Sequence, residues 1–347
     1  MAASKANTNI VGHAGRLLAL EEGHFPYVLD GGLETVGPLD FGGTLTGSFT
    51  AHPKVCPVTG ELLGFGYSLF EPYLKYLRVS ATGELVQVED ITVGGPTMMH
   101  DFNVTRNYII FMDLPAVFDL EMAMRGEMPI HWSDSYPARL GVMPRNGSDA
   151  DVTWYGIDPC YVFHPMNAYE DGNKIVIEVA RLDDIWRDSA TDFPAPALYR
   201  WTIDTSSGRV HEEQIDDLPA EFPRVADSVV GLKHRFGYMA NATEKAFDEP
   251  MSAAGTVLMY DRETGTRSQI DVGIGRLPGE TVFVPSANGT AEDDGYLMTY
   301  VYDAASNESD FMIFDASSMS AEPVAKVHLP RVPFGFHGNW VAASVAD

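Results

Sequence analysis

Four stretches of this chain repeat one pattern: a strand, a short polar turn and a second strand. They are KYLRVSATGELVQVEDI at 75–91, LYRWTIDTSSGRVHEEQI at 198–215, VLMYDRETGTRSQIDVG at 257–273 and MIFDASSMSAEPVAKVHL at 312–329. In the last three the turn opens on an aspartate, Asp204, Asp261 or Asp315, and in the first on Ser80. The aspartates lie 57 and 54 residues apart, close to the length of one four-stranded propeller blade with a generous loop. Helical periodicity is hard to find anywhere, while short β-rich runs bounded by Gly, Asp, Asn and Ser recur from end to end. The chain therefore reads as nearly all-β. Any antiparallel protein yields such hairpins, so a propeller and a sandwich both stay open on this ground.

Charge and cysteine content narrow the function. With 49 acidic against 23 basic residues the formal net charge is −26, which would repel a phosphate backbone and excludes nucleic acid as an expected partner. The two cysteines, Cys56 and Cys160, are too few for a disulfide framework and fit a reducing compartment. Each lies four residues from a histidine, but the paired CxxC element of a strong zinc motif is missing, and buried inert thiols are the simpler reading. No apolar run reaches the roughly 18 residues of a membrane span, and the first residues lack the order of a secretory signal. A soluble, cytoplasmic protein is expected. Stretches 121–151 and 242–252, rich in Gly, Pro, Met and charge, read as long loops.

Four of the ten histidines stand apart. His52, His100, His164 and His337 each follow small or apolar residues and precede Pro53, Asp101, Pro165 or Gly338, as though ending strands that face one axis. Their separations of 48, 64 and 173 residues make no local motif, but successive blades could deliver one each to a shared centre. Four neutral imidazoles leave a divalent ion its full charge and, in an octahedral field, two open positions; zinc, copper and nickel would also bind. Ligating histidines need a partner for the second ring N–H, usually a carboxylate. Glu22 in LLALEEG, Glu221 in PAEFPRV and Glu280 in PGETVFVP stand in apolar surroundings where an unpaired charge would be costly. His13, His24, His131, His211, His234 and His328 lie in polar or irregular stretches and read as structural.

GRLLALEEGHFPY, TAHPKVCPVTGELLGFGY, HDFNVTRNYIIF, FHPMNAYEDGNKIVIEVAR, EFPRV, GETVFVP and FGFHGNW together resemble the carotenoid cleavage oxygenases, in that family's order and approximate spacing over residues 5–347. The resemblance implies a single catalytic domain over 1–347, a seven-bladed β-propeller with loops forming a cap over the metal axis and an apolar tunnel. It implies one Fe(II) per chain on His52, His100, His164 and His337, backed by Glu22, Glu221 and Glu280, with Glu170 a motif residue outside that set. It also implies O2 as co-substrate and scission of a conjugated double bond in a lipophilic polyene, a carotenoid or apocarotenoid, to two carbonyl products. An aromatic alkene of the stilbene type is the alternative substrate. Phe102, Phe163, Phe336 and Trp340 adjoin the ligands and could reach the cavity, although strand alternation can equally turn such neighbours into the core. Family members often draw their substrates through an apolar surface patch, for which LFEPYLKYL at 69–77 is the local candidate for peripheral membrane contact. No protein partner is implied.

The pattern departs from the family in three places. The RNGPNP-like and GDGM-like segments that open family members are not in this sequence, from which an incomplete propeller with an exposed sheet edge is expected, with an inactive form retaining the ligands as the alternative to the enzyme. Glu21 stands where stilbene-cleaving members carry a lysine for the substrate phenolate, which a carboxylate would repel. Cys56 replaces an aspartate and is given no role.

Overall fold

The computed structural model describes residues 5–189, 193–241 and 251–342. Its strands fall into consecutive four-stranded antiparallel sheets. The first comprises Asn9–His13, Arg16–Leu20, Tyr27–Leu29 and Thr35–Pro38, and the second Lys54–Val55, Leu62–Tyr67, Leu74–Val79 and Leu85–Ile91. The third holds Asn103–Val104, Tyr108–Asp113, Arg139–Pro144 and Thr153–Gly156, and the fourth Tyr161–Asp171, Lys174–Leu182, Ala197–Asp204 and Arg209–Gln214. Glu221–Arg224, Phe236–Asn241, Ala254–Asp261 and Thr266–Ile274 make the fifth, and Val282–Pro285, Gly295–Asp303, Glu308–Asp315 and Ala325–Leu329 the sixth. Arg276–Pro278 joins the last two, pairing with Ala254 on one side and Val301–Asp303 on the other. The described residues thus supply six sheets of the seven that the family resemblance implies.

The repeated hairpins are the outer two strands of the second, fourth, fifth and sixth sheets. Their turns close for the reason the sequence suggests. Asp204 accepts from the backbone N–H of Ser206 and Ser207, Asp261 from Glu263 and Thr264, and Asp315 from Ser317 and Ser318. The left-handed position that ends each of these turns is filled by Gly208, Gly265 and, in the last copy, Met319.

Apolar cores lie between successive sheets. Leu18, Leu20, Leu62 and Leu77 pack the first against the second, and Phe65, Tyr76, Phe102 and Phe111 the second against the third. Met112, Leu140, Tyr161 and Trp201 join the third and fourth, Met166, Leu198, Met239 and Leu258 the fourth and fifth, and Tyr238, Val257, Leu297 and Phe314 the fifth and sixth. Inner strands are therefore buried on both faces, as in Leu62–Tyr67, and lose the alternation of a half-exposed sheet.

Part of the loop expectation is corrected. Within 121–151 lie most of the helix Leu120–Met124, the strand Ile130–Trp132 paired with Ala116–Phe118, and Arg139–Pro144 in the centre of the third sheet. Asp119 caps the helix by accepting from the N–H of Glu121 and Met122. The charge and proline of the flanking turns mask a strand, Arg139–Pro144, whose four central residues are all buried. Of 242–252, residues 242–250 lie outside the described residues.

Candidate metal centre

The four histidines converge although their local structures differ. Only His164 sits within a strand, Tyr161–Asp171, beside a bulge between Val162 and Pro165 that re-aims the backbone. His52 and His100 lie in extended segments just ahead of Lys54–Val55 and Asn103–Val104, and His337 on an irregular strap beyond the last strand. The expectation of four strand-ending histidines is corrected to that extent. The segment leading to His52 lies flat on Leu62–Tyr67, with Thr50 donating its N–H to the Phe65 carbonyl and the Ser48 hydroxyl to that of Tyr67. Gly64 and Gly66 allow this approach, since a Cβ at Gly66 would stand 2.2 Å from the Ser48 carbonyl oxygen.

One ring nitrogen from each histidine lies within 4.8 Å of one from every other. His52 Nε2 is 3.0 Å from His100 Nε2, which is 3.2 Å from His164 Nε2. Two nitrogens each about 2.1 Å from one ion stand about 3.0 Å apart when at right angles, and about 4.2 Å when opposed. The His52–His100 and His100–His164 spacings match adjacent positions of a coordination shell, and the 4.8 Å bound on the whole set is slightly wider than a shell drawn in around an ion.

The opposite ring nitrogens face carboxylates. Glu22 Oε1 is 2.5 Å from His100 Nδ1, though off the axis of the ring N–H; Glu221 Oε2 is 2.8 Å from His164 Nδ1, and Glu280 Oε1 is 3.1 Å from His337 Nδ1. Directing N–H toward carboxylates leaves the Nε2 lone pairs aimed at each other, an arrangement that a cation satisfies. His52 is the exception. Its nearest carboxylate, Asp101, lies 3.8 Å from Nδ1 and is taken up by Lys54 Nζ at 2.8 Å and by the N–H of Phe102.

Each glutamate has a further donor. Tyr67 gives its hydroxyl to Glu22 Oε2 at 2.5 Å, Phe222 its N–H to Glu221, and Gly338 its N–H to Glu280 Oε2 at 2.8 Å, with Arg224 Nη1 3.2 Å from Glu280 Oε1. Arg224 also reaches the Gly338 carbonyl and Asn339 Oδ1, and Asn339 donates to Asn9 Oδ1, so the strap that carries His337 is pinned on both sides.

Burial, and then the neighbouring imidazoles, hold His52 and His164 well below the usual histidine range, so both are neutral and ligand-ready at neutral pH. Burial would lower His100 as well, but the Glu22 carboxylate outweighs it and the net shift is upward. Burial raises Glu221 to about 7, whereas for Glu280 the same burial is overcome by Arg224 and His337, bringing it to about 2.

A cavity of about 460 Å³ reaches His52, His164 and His337 past the polar side chains of Lys54, Asn167 and Arg224. Aromatic rings pack beside two of the ligands: Phe163 stands edge-on to His100 at 5.2 Å and joins the core through Tyr161, Trp186 and Phe193, while Phe222 stacks on His164 at 5.4 Å. Phe222 holds a left-handed backbone, φ 53°, unusual for an aromatic residue and therefore a position the surrounding structure enforces. Phe102 is fully buried against Phe65 in the core. Phe336 and Trp340 are exposed on the strap, at 57% and 55%, with Trp340 also lining the cavity. Glu170 lies away from the ligands, accepting from the Thr105 hydroxyl and the Asn107 amide. Glu21 turns onto the Gly23 N–H and the His24 ring. Sequence reasoning missed Tyr67, Arg224 and Phe222; all three lie in quoted motifs, GFGY and EFPRV, but nothing local distinguishes them from core residues.

The family model described as retinal pigment epithelial membrane protein matches residues 2–342. The carotenoid cleavage oxygenase of Mycobacterium tuberculosis is 39% identical over 385 aligned positions, which cover 96% of this chain and 76% of that protein. Lignostilbene dioxygenase from Pseudomonas brassicacearum superposes with a TM-score of 0.85 at 29% identity over 96% of this chain and 73% of that one. Cobalt-substituted apocarotenoid oxygenase from Synechocystis gives 0.86 at 28% identity over 97% and 74%. The chain spans about three-quarters of the length of each of these three relatives.

Proposed function

From its membership of the carotenoid cleavage oxygenase family, to which this chain belongs, we infer a non-haem Fe(II) dioxygenase that cuts a conjugated carbon–carbon double bond of a carotenoid or apocarotenoid. The observation that carries this reading is the four-imidazole cluster with three carboxylates behind it. His52, His100, His164 and His337 would hold the ion, and Glu22, Glu221 and Glu280 would fix the orientation of three of them. Bound ferrous iron supplies the one-electron chemistry through which ground-state O2 reacts with a closed-shell alkene. In the overall reaction one C=C and one O=O bond break and two C=O bonds form, so all atoms of alkene and O2 appear in two carbonyl products.

The protein's own contribution is to position and to exclude water. Phe163 and Phe222 offer apolar rings beside His100 and His164, backed by Trp186 and Phe193 against Phe163, so that a flat polyene would gain dispersion contact there and water would find no partner. A stilbene phenolate is less suited, because Glu21 brings a carboxylate where a cation would be needed. Entry from a lipid surface belongs to this reading: Leu69 and Phe70 are exposed beside Tyr67, which stacks on Phe118 just ahead of the exposed Leu120 and Met124. Leu74, Tyr76 and Leu77 of the same segment are buried. No helix among the described residues is long and apolar enough to cross a membrane. A cytoplasmic setting suits both the ferrous state and the free thiols of Cys56 and Cys160.

The test is metal content after anaerobic purification, followed by turnover on polyene and stilbene panels. Near-stoichiometric iron in the wild type, lost in His164→Ala, with O2-dependent cleavage of polyenes, is the expected result. A wild type that stays free of iron after Fe(II) loading would sink the reading, and cleavage confined to stilbenes would overturn the substrate assignment.

A further inference from the structure

We propose that Tyr67 is a positioning residue for the metal centre, setting the electron donation of His100 through Glu22. The proposal rests on the iron reading above. Glu22 lies between the second and third strands of the first sheet, Tyr67 ends a strand of the second, and His100 leads into the third, so one short line of contacts ties three sheets together at the centre. Tyr67 has little freedom to leave this line. Its ring is stacked on Phe118 at 5.9 Å and on Phe65 at 6.4 Å, and its own carbonyl accepts from the Ser48 hydroxyl.

The chemistry follows from what a phenol does to a carboxylate. A hydroxyl donating to Glu22 Oε2 at 2.5 Å draws negative charge toward itself, which weakens the electrostatic pull of Oε1 on the His100 ring, whose Nδ1 lies 2.5 Å away off the N–H axis. Take the hydroxyl away and that pull strengthens, making the imidazole more imidazolate-like and a stronger donor to any bound ion. Stronger donation favours ferric over ferrous iron. The other two glutamates are restrained by different groups, Glu280 by Arg224 and the Gly338 N–H, and Glu221 by the Phe222 N–H. Tyr67 is thus the one hydroxyl among these restraining donors, and it can be removed by a single oxygen atom while the ring packing is kept.

The experiment compares iron-loaded wild type with Tyr67→Phe by spectroelectrochemistry, and by electron paramagnetic resonance of the ferrous nitric oxide adduct. The variant should bind iron stoichiometrically and shift the ferric/ferrous equilibrium about tenfold toward ferric, ~59 mV for a one-electron couple. Its nitrosyl spectrum should change as well, which a purely structural role for the ring would not produce. Replacing Tyr67 by 3,5-difluorotyrosine, a better donor of the same shape, should move the potential the opposite way and keeps the test open should the phenylalanine variant misfold. Iron-loaded variants with wild-type potential and spectrum overturn the proposal alone. A wild type that takes up no iron overturns the metal reading and this proposal with it.

Discussion

Gly66 shows how a single residue far from the chemistry can set the position of a ligand. The strand Leu62–Tyr67 must let the backbone of Ser48–Thr50 lie directly on it, and that segment runs straight on to His52. For Gly66→Ala the added carbon would meet the Ser48 carbonyl oxygen, which is backbone and cannot swing aside. Overpacking of this kind costs about 1–3 kcal/mol or more, so a lower melting temperature is expected together with weakened metal binding, because the displaced segment carries His52. Calorimetry with and without metal checks this; an alanine variant as stable and as metal-competent as wild type would show that the segment can move. At this scale the sequence was informative about ligands and poor about their supports. His164 announces itself in FHPMNAYE, whereas Gly66 and Tyr67 in GFGY carry no mark of their roles, since close approach and a hydroxyl contact depend on chain segments distant in sequence.

Among elements, the outer hairpins were legible because a turn aspartate and a closing left-handed residue act within a few residues of each other. The joints between sheets were not. Asn167, Glu178, Arg200 and Glu213 form one row across the fourth sheet, and the fully buried Glu178 is held by Arg200 at 2.7 Å and by Arg262 from the fifth sheet. His234 Nε2 lies 3.3 Å from the same carboxylate, while its Nδ1 meets Asn167, whose amide also caps the Val229 and Leu232 carbonyls. This cluster is the polar counterpart of the apolar core that Met166, Leu198, Met239 and Leu258 build at the same joint. Glu178→Gln leaves two partly buried guanidinium groups around a neutral amide; breaking a fully buried pair costs about 3–5 kcal/mol, and the partial exposure of Arg200 and Arg262 places the expected loss at about 2–3 kcal/mol. Chemical denaturation should register that loss. A change below about 1 kcal/mol would mean that Arg200 and Arg262 escape to solvent and that the apolar core alone holds the joint.

Across the whole molecule the centre gathers chain from end to end. Its ligands enter the second, third and fourth sheets and the strap beyond the last strand, while the glutamates come from the loop between the middle strands of the first sheet, the start of the fifth and the link into the sixth. Every sheet therefore has at least one residue at or beside the cluster, and a bound ion would act as a cross-link among all six. The recurring short strands and turns indicated a β-rich protein, and the ordered motifs carried the architecture; the number of sheets in the described residues could be read only from the strand pairing. Because an ion that binds the folded but not the unfolded chain adds RT ln(1 + [L]/Kd), free Fe(II) at a hundredfold its Kd stabilises by about 2.7 kcal/mol. Iron-loaded protein should consequently melt several degrees above the same protein after anaerobic chelation. His337→Ala should abolish most of that increment while leaving the metal-free melting temperature near that of wild type, because His337 sits on a strap outside the sheets. Equal melting temperatures with and without iron would mean that the ion is bound too weakly to link the sheets. A large drop in the metal-free His337→Ala protein would instead show that the Glu280 and Arg224 contacts to the strap stabilise the fold before any metal arrives.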